Sequence, residues 1–223
     1  MKKKILFSIM TIALVCALIG GGIYAYFNDV ETSTGNTFTA GTLNLKVGDA
    51  DPTTASITVA GIKPTDTGNA ASWLTKNIGS ISGTLDVVIG SITNNENTLT
   101  EPEDAAGDTT SGATEGELGS FLKVAIWLDV DESDAWNSGD IALKSDGTTL
   151  TNGGSDTLPY DYLDNYGGDS YSSVITMTGD DSGAGGSDEF QFMVDYDFPN
   201  DNNDDRAQSD SAVFNVTFTL NQS

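Results

Sequence analysis

The chain contains no histidine, and its one cysteine, Cys16, falls in an apolar N-terminal run. Without histidine there is no Ser-His-Asp triad, no His-liganded zinc and no H-E-x-x-H helix, so the commonest hydrolase and metallopeptidase devices are excluded by composition. With Cys16 set apart from the body of the chain, the remainder has no disulfide and no thiol chemistry. Basic residues are scarce too: nine Lys and Arg stand against 33 Asp and Glu, a formal net charge of −24. A surface of that sign does not bind nucleic acid or an anionic membrane through its charge. It favours solubility in high salt, attracts divalent cations, or does both. After residue 25, no stretch keeps a helical apolar period beyond about two turns.

What is present begins with a leader. Lys2, Lys3 and Lys4 precede an apolar run from Ile5 to Ile19, which Gly20, Gly21 and Gly22 break before Ile23-Tyr24-Ala25. This is the layout of a secretory signal peptide cut by a signal peptidase between Ala25 and Tyr26. A retained anchor is the competing reading, since the run is long enough to cross a hydrocarbon core of ~30 Å. The glycine break and the small residue at Ala25 favour cleavage, which leaves a secreted chain with no membrane segment. No Gly or Ala closes the basic stretch before Ile5, which sets aside a pilin-like leader cut ahead of the apolar run. Residues 1–25 are therefore predicted as signal peptide, 26–36 as an extended N-terminal segment and 37–223 as one β domain, with no internal repeat or Pro-rich linker to divide it.

Period-two alternation dominates that domain. Ala212, Phe214, Val216, Phe218 and Leu220 form one ladder, Phe190, Phe192, Val194, Tyr196 and Phe198 a second, and Leu122, Val124, Ile126, Leu128 and Val130 a third. Each predicts a strand with one face buried and the other wet. Shorter strands are predicted at Phe38–Val47, Ile57–Ile62, Ala71–Lys76, Leu85–Ile92, Ile141–Leu143 and Ser173–Met177, separated by Gly-, Asp-, Asn- and Ser-rich turns. The pattern predicts an all-β antiparallel sandwich of jelly-roll type, with one or two short helices or long loops inserted.

The acids suggest cation chemistry. Asp129, Asp131, Ser133, Asn137 and Asp140 place oxygen donors at relative positions 1, 3, 5, 9 and 12, the spacing with which an EF-hand loop wraps calcium. Asp134 stands where that loop has its glycine, Asp140 replaces the bidentate Glu, and the segment follows a strand, so it is no true EF-hand; a solvated acidic turn is the competing reading. A looser cluster runs from Asp195 and Asp197 through Asn200, Asp201, Asn203, Asp204 and Asp205, where turn chemistry alone is also an explanation. Glu96, Glu101, Glu103 and Asp104 read as a flexible polar insertion. No pair among the acids is singled out for carboxylate-pair hydrolysis. Trp127 and the ladder phenylalanines read as core or strand-face rings and the Tyr160, Tyr162, Tyr166 and Tyr171 cluster as packing under its own loop, with a sugar-stacking platform of these tyrosines and Trp73, Trp127 and Trp136 as the alternative. Asn215-Val-Thr217 and Asn221-Gln-Ser223 are N-glycosylation sequons.

The stretch YFNDVETSTGNTFTAGTLNL, Tyr26 to Leu45, resembles the start of mature TasA/camelysin-type proteins, the secreted β-rich subunits of bacterial and archaeal extracellular fibres. AGIKPTDTGNAASWLTKNIGSISGTLDVV, Ala60 to Val88, resembles the same family's strand, Pro-Gly-Asp turn and N-x-G-S segment, with Thr65 standing where Gly is usual. GELG at Gly116–Gly119 and the closing NDDRAQSDSAVFNVTFTLNQ are similar to archaeal members, including bundling-pilus subunits. The resemblance implies an extracellular filament subunit that polymerises with identical subunits; camelysin relatives have been described as metallopeptidases, but no catalytic constellation in this sequence supports an enzyme. Tyr26, Phe27, Asn28, Asp29, Val30, Glu31 and Thr32 would be the donor strand that completes a neighbour's sheet, with calcium stiffening loops. The alternative is a monomeric surface domain that binds calcium or glycans.

Overall fold

The computed structural model describes residues 41–48, 54–180, 187–200 and 204–222. The predicted signal peptide, its cleavage site and the Tyr26–Asn36 segment lie outside the described residues. The strands are β1 (Leu45–Val47), β2 (Thr54–Ala60), β3 (Thr67–Asn77), β4 (Gly83–Ile89), β5 (Thr93–Asn95), β6 (Lys123–Asp129), β7 (Ile141–Leu143), β8 (Thr149–Thr151), β9 (Asp161–Tyr162), β10 (Ser170–Met177), β11 (Glu189–Asp197) and β12 (Ser211–Gln222). Two short helices, α1 (Glu101–Ala105) and α2 (Leu118–Phe121), interrupt the run between β5 and β6.

Every strand pairing is antiparallel and the long strands are nested. β2 pairs with β12, β3 with β11, β4 with β10, and β6 with β7 and β9, so the chain folds back on itself as one long hairpin. That hairpin is rolled into two sheets, ordered β1-β3-β11-β6-β7-β8 and β10-β4-β12-β2. Nested pairing across two antiparallel sheets is the jelly-roll arrangement. The predicted ladders supply its centre. Phe192 on β11 stacks on Trp73 of the neighbouring β3 with ring centroids 5.9 Å apart, and meets Phe218 of β12 edge-on at 5.0 Å, joining the middle strands of the two sheets.

Two predicted strands differ. In the described part of Phe38–Val47 only Leu45–Val47 is strand. Thr42 and Asn44 instead lend their carbonyls to the Ser80 and Ile78 amides at 2.7 Å each, a close approach made possible by Gly79, where a Cβ would lie 2.2 Å from the Thr42 carbonyl oxygen. On β6, alternation predicts one wet face, yet Val124 to Asp129 are all buried. The excursion from Glu132 to Leu158 folds over the outer face, where Trp136, Leu150 and Leu158 pack on Trp127, Ala142 and Met193. The indole N–H of Trp127 donates to Asp195 at 2.7 Å, which satisfies its one polar atom.

Thr65 gives the turn between β2 and β3 a strained hinge. The Asp66 amide donates to the Lys63 carbonyl at 3.0 Å, Pro64 occupies the second turn position and Thr65 the third, with φ of 79°. A type II turn needs positive φ there, which glycine adopts freely and a β-branched residue does not. Thr65→Gly is expected to raise stability by about 1 kcal/mol in urea unfolding, the released strain exceeding the added entropy of the unfolded chain.

Candidate cation-binding loop and open sheet edge

β6 ends in Asp129, and the chain then turns tightly enough to bring the five predicted calcium ligands together. Carboxylate oxygens of Asp129, Asp131 and Asp140 all lie within 4.8 Å of one another. The Asn137 amide N–H group donates to both oxygens of Asp131 at 3.1 Å and to the Ser133 hydroxyl at 2.7 Å. Asp129 accepts from the Ser133 and Asp134 amides at 3.2 and 2.7 Å, and Asp140 accepts from Val130 and Asn137 at 3.0 and 2.7 Å. Burial raises the Asp129 carboxyl above its ordinary range, whereas hydrogen bonds from Ser133 and Asn137 hold Asp131 below it. Asp134, in the glycine position, takes φ of 58°, the left-handed conformation that the glycine would supply and that Asp tolerates.

These oxygens are a fit donor set for a hard cation, since a carboxylate oxygen that accepts one N–H keeps a second lone pair for a metal. The loop is also held by its own hydrogen bonds. Asp140, 1% exposed, is its anchor. Asp140→Ala would strand two amides that now share a carboxylate, and is expected to cost about 2–4 kcal/mol in denaturant unfolding.

Elsewhere the predicted residues scatter. Asp195 serves Trp127 and, at 3.1 Å, the Asn69 side chain, while Asp201 and Asn203 lie outside the described residues. Trp127, Tyr166 and Tyr171 are buried, with the Tyr171 hydroxyl donating to the Lys144 carbonyl at 2.8 Å; Tyr160 is exposed, and Tyr162 lies under the Lys123 ammonium at 5.3 Å. The rings therefore do not form one platform. Asn215 and Asn221 are exposed on β12, and the Asn221 amide donates to Asp86 at 2.8 Å.

The insertion between β5 and β6 is a correction. It is not a free loop: Glu96, Glu103, Asp108 and Asp210 are buried, and Glu117 is half-buried beside them. Thr100 is the N-cap of α1, its amide donating to Glu103 at 2.5 Å, and Ser209 donates to the other Glu103 oxygen at 2.9 Å, which ties α1 to the start of β12. Those bonds hold Glu103 below its ordinary range even though burial works the other way. Glu96, by contrast, is pushed up to about 7, by burial first and then by the charges of Asp210 and Glu103. A Thr-x-x-Glu capping box is legible in TEPE at Thr100–Glu103; the burial of Glu96 is not, because its neighbours come from residues 108, 117 and 210.

The open edges complete the picture. Among the described residues β2 pairs with β12 alone and β10 with β4 alone. β10 is blunted by a register shift between Tyr171 and Ile175, with Ser173 at φ of 54°. β2 keeps an unbroken seven-residue register and its sequence, TASITVA, has no charge, proline or glycine. Edge strands are normally guarded by just those devices.

Fold and surface define an acidic jelly-roll domain with clustered carboxylates and, among the described residues, a β2 edge that carries none of those guards. The chain belongs to the family described as camelysin metallo-endopeptidase, whose model matches residues 1–223. Residues in this chain are also similar to the major biofilm matrix component of Bacillus subtilis (strain 168), with 41% identity over 66 residues, 30% of this chain and 24% of that protein. The match thus spans about a quarter of the relative's length. Among solved structures, that of infectious bursal disease virus Gt strain aligns over 86% of this chain and 46% of the viral chain at 12% identity and a TM-score of 0.16, which carries no argument.

Proposed function

We propose that this protein is a secreted structural subunit of an extracellular biofilm-matrix filament, built head to tail as the Tyr26–Asn36 segment of one subunit adds to the β2 edge of the next. The observation that carries this reading is the β2 edge. It is regular, uncharged and unbulged, with Ile57 and Val59 directed into the core. Left bare, such an edge templates uncontrolled association. An added strand satisfies its main-chain groups, and because its side chains alternate between faces, one of the two apolar residues Phe27 and Val30 turns toward the core side. Donor and acceptor surfaces differ, so the contact is heterologous and propagates. Signal cleavage is the trigger, because the segment is released only when Ala25 is cut from Tyr26. The similarity to a biofilm matrix component supports the same reading.

No peptidase role is assigned despite the family's description. Catalytic zinc sites are built largely from histidine with Glu or Cys, and the chain has no histidine.

Electron microscopy of the chain beginning at Tyr26, with calcium and with chelator, tests the proposal. Uniform fibres are expected. Single globular particles in every condition would overturn it in favour of a monomeric surface domain whose N-terminal segment covers its own β2.

A further inference from the structure

We propose that Glu96, Glu117 and Asp210 form a calcium site, where the loop after β5, the start of α2 and the approach to β12 converge. Each of the three side chains offers a carboxylate oxygen, and these oxygens lie within 4.8 Å of one another. Glu96 is 7% exposed, and among the described residues neither of its oxygens has a hydrogen-bond donor. The other two are aimed by one oxygen each. Asp210 accepts the Glu117 amide at 2.6 Å through Oδ2 and leaves Oδ1 without a donor; Glu117 Oε1 lies 3.0 Å from the Thr110 hydroxyl, whose one hydrogen it shares with Asp108, and Glu117 Oε2 has no donor. Three chain-distant carboxylates therefore converge, and between them they carry four oxygens without a donor.

The surrounding charge sharpens the need for a cation. Asp108 is 1% exposed, and its Oδ1 accepts from the Thr110 amide and hydroxyl at 2.8 and 2.7 Å, while its Oδ2 has no donor. Glu103, 0% exposed, lies beside them. Burying unpaired carboxylates is costly unless a positive charge or hydrogen bonds compensate. Elsewhere in the fold the compensation is visible: buried Asp188 and Glu189 have the Lys76 ammonium at 3.1 and 3.2 Å. Among the described residues the Glu96 group has no ion pair. Arg206 approaches but donates to the Gly107 carbonyl at 2.9 Å.

The donors are all oxygen, which suits a hard divalent ion. Calcium takes six to eight oxygens at about 2.3–2.6 Å in flexible geometry, whereas magnesium demands a near-ideal octahedron and keeps its waters. An ion here would staple the loop holding α1 and α2 to β12, the last strand of the roll. The rival is a proton shared between Glu96 and Asp210. The two differ in calcium response, and the site does not depend on filament formation.

Thermal melts of the purified protein in calcium chloride or chelator decide it, with magnesium chloride and ionic-strength-matched sodium chloride as controls. Calcium at ~100 times its Kd is expected to raise Tm by about 5–10 °C. The shift should be equal at two protein concentrations, which separates it from polymerisation. Glu96→Gln should lose the shift, while Asp131→Asn, in the loop after β6, should keep most of it. Should Glu96→Gln melt too low to read, Glu117→Gln serves in its place. A wild-type shift in the Glu96 or Glu117 variant overturns the site, as does a shift lost only in Asp131→Asn. A calcium effect no larger than that of sodium chloride leaves the shared proton as the explanation and also overturns it.

Discussion

A chain beginning at Thr37 is expected to fold but to form no fibres, and a peptide of residues 26–36 added to it should bind and stabilise it. The buried apolar core defined among the described residues starts at Leu45, so the truncation removes none of it. What it removes is the strand that would cover β2 of a neighbour. The consequence is large because polymerisation is all-or-none at each contact: without donors, the fibre fraction should drop from most of the protein to none. The peptide restores one half of the contact. At ~100 times its Kd it should add about 2.7 kcal/mol of stability, read as a Tm rise of about 5–10 °C. Added in excess to the chain beginning at Tyr26, the same peptide should cap growing ends and shorten fibres. Fibres from the truncated chain would sink the donor-strand mechanism. A truncated chain that is markedly less stable than a monomeric longer chain would show instead that the segment completes its own sheet.

The jelly roll was legible because its longest strands carry strict alternation. On β12, Phe214, Val216 and Phe218 are buried while Asn215 and Thr219 are exposed, as a strand with one solvated face dictates. The nesting of β2 with β12 is not legible, since pairing partners such as Ile57 and Phe214 are separated by most of the domain. β6 shows why a period can mislead: Trp127 breaks the polar side of its ladder, and only the later Trp136 and Leu158 reveal that this side is covered too. The acidic loop after β6 was readable as a unit because its donors lie within twelve residues. The Glu96 group was not. Its members are distributed over residues 96 to 210, and in sequence Glu96 sits among Asn residues, Glu117 between Gly116 and Gly119 and Asp210 between serines, contexts that look like ordinary turn chemistry. Local signals thus located what one loop builds alone, and missed what three loops build together.

Phe192→Ala is expected to cost about 3–5 kcal/mol, a large share of the 5–15 kcal/mol that holds a typical domain folded. Phe192 is 0% exposed on the middle strand of its sheet, paired in register between Trp73 of β3 and Leu128 of β6. Its ring lies nearly parallel to Trp73, at 7°, and nearly perpendicular to Phe218 across the sandwich, at 87°. Offset-stacked and edge-on pairs each add about 0.5–1.5 kcal/mol beyond the area they bury. Truncation forfeits both pairs and leaves a cavity between two sheets whose spacing is set by many other side chains, so collapse around it is limited. Urea unfolding should show the midpoint falling with little change in slope. A double-mutant cycle with Phe218→Ala should then give a coupling of about 0.5–1.5 kcal/mol for the pair across the sheets. Leu74→Ala on β3 is the control: at 42% exposure it should cost well under the core substitution. A loss below about 1 kcal/mol for Phe192→Ala, or no coupling to Phe218, would mean that the two sheets are not clamped at this point and that the sandwich core is centred elsewhere.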